Sequence, residues 1–381
     1  MIFSEVKSMK NKRTIKGYAL LTSIILVYLV IIFSSFLLYR NNISTFNNYD
    51  EYEGKANKII LFIGDGMGEN HIKVTEQYYD KKMSFSTLES GYVTTFSQAI
   101  FSPTDSAAAA TALATGTKVK NGEVSTHNQN AIETITEYAK TMNLGTGIVT
   151  TDALNGATPA AFSAHATSRK DTDTIIKSQI NSKVDIFLGA GLQTYTNYFN
   201  DFKDKEYEIC TDLSQLDTFH NSNKKILGTF DHISNKADHD ETNPTLQYLT
   251  QFAITYLDRN FPNGYFLMVE GAHIDKKSHS NNITSMMEYL DNFSDSVKIG
   301  LDHFSDANNY CIIITADHET GGLKEVKNQD INNNLYRTTG HTSANVRYFI
   351  KSSNNIDLDT RIDNTDIYKL TKTLLTHNDK D

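Results

Sequence analysis

The sequence has little with which to cross-link itself or to grip a polyanion. Only two of its 381 residues are cysteine, Cys210 and Cys311. Cys311 lies in the apolar run YCIIITADHE, where a buried thiol is the expected state, so neither a disulfide framework nor a cysteine-rich metal cluster organises the chain. Positive charge is also short. The 36 Lys and Arg stand against 45 Asp and Glu, a formal net charge of −9, which argues against binding nucleic acid, because phosphate backbones are held through an excess of cationic side chains. An anionic small substrate would need a local cationic site. No internal repeat is present, and a 39% hydrophobic content supplies enough apolar material for a sizeable core.

Charge is absent altogether from residues 17–39, GYALLTSIILVYLVIIFSSFLLY. A run of roughly 22 mainly apolar residues can cross a bilayer core of about 30 Å as a helix. Lys7, Lys10, Lys12, Arg13 and Lys16 precede it, a flank that stays cytoplasmic under the positive-inside rule. The expected layout is a basic flank at 1–16, a transmembrane anchor at 17–39, a tether at 40–57 and a folded domain at 58–381 facing outward. A cleaved signal peptide is the competing reading, but the run exceeds a usual h-region and no small-x-small site closes it.

Beyond the tether, short apolar runs recur: KIILFIG from Lys58, YVTTFS from Tyr92, GTGIVTT from Gly145, VDIFLG from Val184, YFLMVEG from Tyr265 and CIIIT from Cys311. Helical patterns such as AIETITEYAKTMN and SMMEYLDNFSDSVKIGLDHF follow. Near-continuous apolar strands alternating with helices predict an α/β domain, a mainly parallel central sheet with helices on both faces. The polar stretch from Tyr195 to about His239 reads as a surface excursion, and the acidic stretch after Ile356 as a solvated end.

In such a sheet, functional groups collect just past the carboxyl ends of strands. Asp65 in GDGMG, Glu270, Asp275 and His279 in EGAHIDKKSH, and Asp317 and His318 in TADHE all fall there. Asp275 and His279 are four apart, so one helical turn directs both to the same point. Imidazole with carboxylate suits zinc, and two such ions can clamp both oxygens of a phosphoryl displacement. An oxygen-only set such as Glu270 and a threonine suits magnesium. Ser106, directly before four alanines, stands at a helix start, where it is either an N-cap or a nucleophile at the positive end of the helix dipole. Arg169 offers the planar fork that grips two phosphoryl oxygens.

These segments, in this order, resemble the alkaline phosphatase family: IGDGMG, TDSAAAATALATG, ATPAAFSAHATSRK, EGAHIDKKSH, TADHE and GHT. The resemblance implies a phosphomonoesterase in which Ser106 becomes a phosphoserine and a second displacement by water releases phosphate, fastest at alkaline pH. It implies two zinc ions, one held by Asp275, His279 and His341, the other by Asp65, Asp317 and His318 beside Ser106. It implies one magnesium held by Asp65, Thr158 and Glu270, with Arg169 and Lys276 binding substrate. It also allows a homodimer. Alternatives that stay open are a phosphodiesterase of the same superfamily and a catalytically silent phosphate-binding surface protein.

One position departs from the pattern. Family members carry an acidic residue or histidine two positions before the threonine of ATPAA, and here that position is Gly156. The expectation is a weaker magnesium site and a Lys276 that lacks its acidic partner and reaches the phosphate directly. Asp152 is near enough to substitute, although it and Asn155 read more plainly as loop residues.

Overall fold

A computed structural model describes residues 18, 20–35, 49–235, 242–305, 307–326 and 330–376. The chain divides into two compact units, residues 1–46 and 47–381. In the first, residues 20–35 are helical and their apolar side chains are exposed. That segment is about 24 Å long at 1.5 Å per residue, against about 30 Å for a bilayer core. Among the described residues no helix is long and apolar enough to cross a membrane, so the structure does not support the anchor expected over 17–39. Residues 17, 19 and 36–39 of that run lie outside the described residues.

The second unit is organised by ten strands: β1 (Lys58–Gly64), β2 (Glu89–Thr94), β3 (Gly145–Ala153), β4 (Ile186–Ala190), β5 (Tyr207–Cys210), β6 (Lys225–Phe230), β7 (Tyr265–Gly271), β8 (Tyr310–Thr315), β9 (Val346–Ser352) and β10 (Arg361–Asp363). They form one sheet in the order β10-β2-β9-β8-β1-β7-β3-β4-β6-β5. Neighbours are parallel except where β9 runs against β8 and β2. The central strands β1, β7 and β8 are buried almost throughout, as near-continuous apolar runs covered on both faces should be.

The helices that matter to the site are α1 (Glu69–Tyr79), α2 (Ser106–Thr115), α3 (Ala157–Ser163), α4 (Leu246–Asn260), α5 (His273–His279), α6 (Ile283–His303) and α7 (Asn364–Leu375). On β7, Phe266 stacks on Phe162 of α3 with ring centroids 6.0 Å apart. Its neighbour Leu267 and Leu257 of α4 both border the space above Gly147. Successive strand residues point to opposite faces, so α3 and α4 cover opposite faces of the sheet. Helices α4 and α6 pack together on one side, and α2, α3 and α7 form the group on the other.

Three sequence expectations change here. The stretch from 195 to 235 is no excursion, since β5 and β6 extend the sheet from β4; their apolar runs were short and lacked helical flanks of clear period. Residues 236–239 lie outside the described residues. The acidic C-terminal stretch is not a solvated end either. Ile362, Ile367, Leu370, Leu374 and Leu375 are buried, and α7 packs on α2. Packing also begins before Lys58, with Tyr49 and Tyr52 in the core.

Candidate active site

The site lies where β1, β7, β8 and β3 end. β1 leads into Asp65 and then Gly66, whose φ of +73° suits glycine. A Cβ at 66 would stand 2.9 Å from the Asp275 backbone and from Thr320 Oγ1. Glycine therefore allows the ends of β1, α5 and the segment after β8 to meet. The Gly66 N–H donates to Asp317 Oδ1 at 3.0 Å and the His318 N–H donates to the same oxygen at 2.8 Å.

Ser106 opens α2 without capping it. The N-cap is Asp105, whose Oδ1 accepts from the Ala108 N–H at 3.0 Å and from the Gly122 N–H at 3.1 Å. The N-cap alternative for Ser106 thus gives way. Its buried hydroxyl is released from helix duty and stands 3.2 Å from His318 Nε2. The second Asp105 oxygen holds Arg169 Nη1 at 3.2 Å.

Around Ser106 the expected ligands converge. Asp65, Asp317 and His318 bring ligand atoms within 4.8 Å of one another, as do Asp275, His318 and His341. His279 joins through Nε2, 3.3 Å from Asp275 Oδ2 and 3.1 Å from His341 Nε2. The outer nitrogens are anchored: His279 Nδ1 contacts the Thr339 carbonyl at 2.5 Å and His341 Nδ1 the Thr104 carbonyl at 2.8 Å. A carbonyl only accepts, so each Nδ1 carries the proton, and in the neutral rings the two Nε2 lone pairs face each other. Such a pair is satisfied by a shared cation, and imidazoles whose far nitrogen donates to a carbonyl are the usual metal-ligating arrangement.

The electrostatics also call for cations. Asp65, Glu270, Asp275 and Asp317 are all buried. Burial, then the charges of Asp317, Asp275 and Glu270, pushes Asp65 well above the usual carboxylate range. Burial pushes Asp317 up to about 6 against the pull of the Gly66 N–H. Glu270 rises to about 8, first from burial and then from the charge of Asp152. Asp275 goes the other way, because its hydrogen bond with His279 and the nearby His318 outweigh its burial. That hydrogen bond raises His279 to about 8. Asp65 Oδ1, Asp317 Oδ2 and Thr158 Oγ1 are buried with no hydrogen-bond partner. Buried polar atoms are rarely left so, and this donor set of imidazoles, carboxylates and a hydroxyl fits zinc and a harder ion.

Lys276 is not as expected. Its ammonium is ion-paired with Asp152 Oδ1, although Gly156 supplies no partner. Several supporting residues escaped sequence reasoning. Thr320 donates to Asp275 Oδ1 at 2.5 Å and lies 3.3 Å from His318 Nδ1. His71 contacts the Ser278 hydroxyl at 3.1 Å within α5, and Thr150 donates to Glu270 Oε2. Only Asp105 carried a local signal, an N-cap residue type directly ahead of an alanine-rich helix. His165 and His273, read as structural, lie off the ligand cluster; His165 is bonded to Ser125 and Glu137, and His273 stacks on Tyr289.

The family model for alkaline phosphatase matches residues 56–366, most of the chain and every residue of the cluster. This chain belongs to the alkaline phosphatase family. It is 32% identical to alkaline phosphatase 4 of Bacillus subtilis over 296 residues, covering 71% of this chain and 63% of that one. Alkaline phosphatase of Escherichia coli is 30% identical over 341 residues, with 69% and 70% covered. The solved alkaline phosphatase of the Antarctic bacterium TAB5 superposes with a TM-score of 0.74 at 26% identity, covering 84% of this chain and 98% of that one. The chain thus spans about the length of that solved family member, and 63% of the Bacillus relative.

Proposed function

We propose that this alkaline phosphatase family member hydrolyses phosphate monoesters to alcohol and inorganic phosphate through a phosphoserine at Ser106. The observation that carries the reading is the Ser106 hydroxyl 3.2 Å from His318 Nε2, because His318 belongs to both candidate ligand groups. Asp275, His279 and His341 would hold one zinc, Asp65, Asp317 and His318 with Ser106 a second, and Asp65, Thr158 and Glu270 a magnesium. Bound there, the ions supply positive charge that lowers the proton affinity of hydroxyl groups and neutralises developing oxyanions.

The chain's own groups do the rest. Ser106 Oγ attacks phosphorus and the bond from phosphorus to the ester oxygen breaks, releasing the alcohol. Water then attacks the phosphoserine, and phosphate leaves as the serine regains its proton. The first N–H groups of α2 and its dipole favour the phosphoryl anion beside Ser106. Arg169, tethered by Asp105, presents its fork to two phosphoryl oxygens.

Hydrolysis of p-nitrophenyl phosphate against bis-p-nitrophenyl phosphate by the full chain, with zinc and magnesium added and Ser106→Ala as control, tests this. Fast monoester turnover lost in the variant is expected. Preference for the diester, or no turnover with metal bound, refutes it. The uncharged run at 17–39 behind a basic flank supports a second part of the proposal, membrane attachment with the catalytic domain outside the cytoplasm. Release of the full chain from membranes by alkaline carbonate would overturn that part.

A further inference from the structure

Asp152, at the end of β3, is placed by a gap in the sequence pattern. Gly156 opens α3 as its N-cap, and a Cβ there would lie 2.8 Å from Asp152 Oδ2, 2.9 Å from the Ala153 carbonyl oxygen and 3.2 Å from Asp152 Cγ. The aspartate carboxylate and the Ala153 carbonyl therefore share the space into which a side chain at 156 would project. The carboxylate is pinned there from two sides. Asp152 Oδ1 accepts from the Ala153 N–H at 2.7 Å and pairs with the Lys276 ammonium. The Asp152 N–H donates to Thr150 Oγ1 at 2.9 Å, and that hydroxyl donates to Glu270 Oε2.

The arrangement joins Asp152 to buried Glu270 through the single hydroxyl of Thr150. Like charges at a buried place are stable together only with positive charge between or beside them. Lys276 supplies one such charge from the outer side, its side chain 45% exposed. Thr158 is 1% exposed, and its buried hydroxyl faces Glu270. A buried hydroxyl beside a carboxylate has the oxygen-only chemistry of a magnesium site.

We propose that Asp152, lying in the space that Gly156 leaves open, is the outer carboxylate that completes the magnesium site of Asp65, Thr158 and Glu270. The acidic function has moved from position 156 to 152, four residues back in the chain but to the same place in space. Asp152 is a positioning residue: it fixes Lys276 and orients the shell around the ion. The inference rests on the reading of Thr158 and Glu270 as magnesium ligands given above.

Two consequences separate this from a merely structural ion pair. Asp152→Asn keeps the shape but removes the charge, and magnesium affinity should fall by about tenfold or more, the usual effect of losing an outer-shell partner. Asp152→Ala removes the carboxylate and its shape together, and should lose affinity at least as much. Zinc-loaded full chain is titrated with magnesium chloride by calorimetry, with bound magnesium counted after gel filtration and folding checked by circular dichroism. The expected order of affinity is wild type, then Asp152→Asn and Asp152→Ala, both well below. Undiminished magnesium binding by either folded variant overturns the proposal. Glu270→Gln is the control for the underlying reading: if wild type binds no magnesium, or Glu270→Gln binds it as wild type does, the site assignment itself fails.

Discussion

Asp105 does two jobs with two oxygens, and conservative substitution can part them. One oxygen caps α2 through the Ala108 N–H and reaches the Gly122 N–H; the other holds Arg169. Asn caps a helix about as well as Asp, whereas Ala loses about 1 kcal/mol of capping and strands a second donor, for a total of about 1–2 kcal/mol. In a domain of this size that lowers Tm by about 2–4 °C. The ion pair is worth less, because the Arg169 side chain is 36% exposed and that of Asp105 21%, which limits it to about 1 kcal/mol or below. Asp105→Asn should therefore melt close to wild type while its inhibition constant for phosphate rises up to about fivefold, the factor that 1 kcal/mol represents. Asp105→Ala should show the same kinetic change and the lower Tm. Thermal melts with phosphate inhibition of p-nitrophenyl phosphate hydrolysis read both. An Asp105→Asn enzyme that binds phosphate as wild type does would refute the idea that this carboxylate orients Arg169.

Two further outcomes follow from neighbouring contacts. Thr320→Val removes the hydroxyl that joins Asp275 to His318, so zinc retained after dialysis against a weak chelator should fall by about tenfold or more; wild-type retention would show that Thr320 orients neither ligand. The Glu137–His165 pair, 2.9 Å apart, makes a pH-dependent contribution to stability. Burial lowers His165, but its bonds to Glu137 and Ser125 raise it more, and the same pair holds Glu137 below its usual value despite burial. The histidine part is complete below its unfolded value of about 6.5 and fades as pH climbs through its raised value, while the glutamate part fades as pH falls below about 4.5. Glu137→Gln, which keeps the capping box on Thr134, should destabilise more at pH 6 than at pH 9 in urea melts; an equal loss at both would refute the charge pairing.

The chemistry was more legible in the sequence than the scaffold's edges. Asp65, Asp317 and His318 follow strands whose apolar runs announce themselves, and the carboxyl-end rule then places them together. β9 and β10 escaped notice because an antiparallel strand near the sheet's end and a three-residue edge strand carry mixed residues, VRYFIKS and RID, and strand propensity there depends on neighbours that are distant in sequence. The same holds for α7. Its acidic start suggested a solvated end, yet Asp363 is an N-cap and Asp366 completes a capping box, so the charge marks where a buried helix begins. Sequence signs of a helix terminus and of a solvated tail overlap, and only the period of Ile367, Leu370 and Leu374 distinguishes them.

Position 156 shows where reading by position stops working. A glycine where the family resemblance leads one to expect a functional side chain looks like a loss when the chain is read as a string. On the proposal above, Asp152 takes that place, because a β-strand end and a helix start separated by a short turn direct their side chains toward one volume. The ion pair with Lys276 follows from where the charge sits and is indifferent to which backbone position supplies it. On the proposal above, the site requires a carboxylate beside Lys276, so magnesium affinity should fall whenever the Asp152 charge is removed and survive substitutions that leave that charge in place.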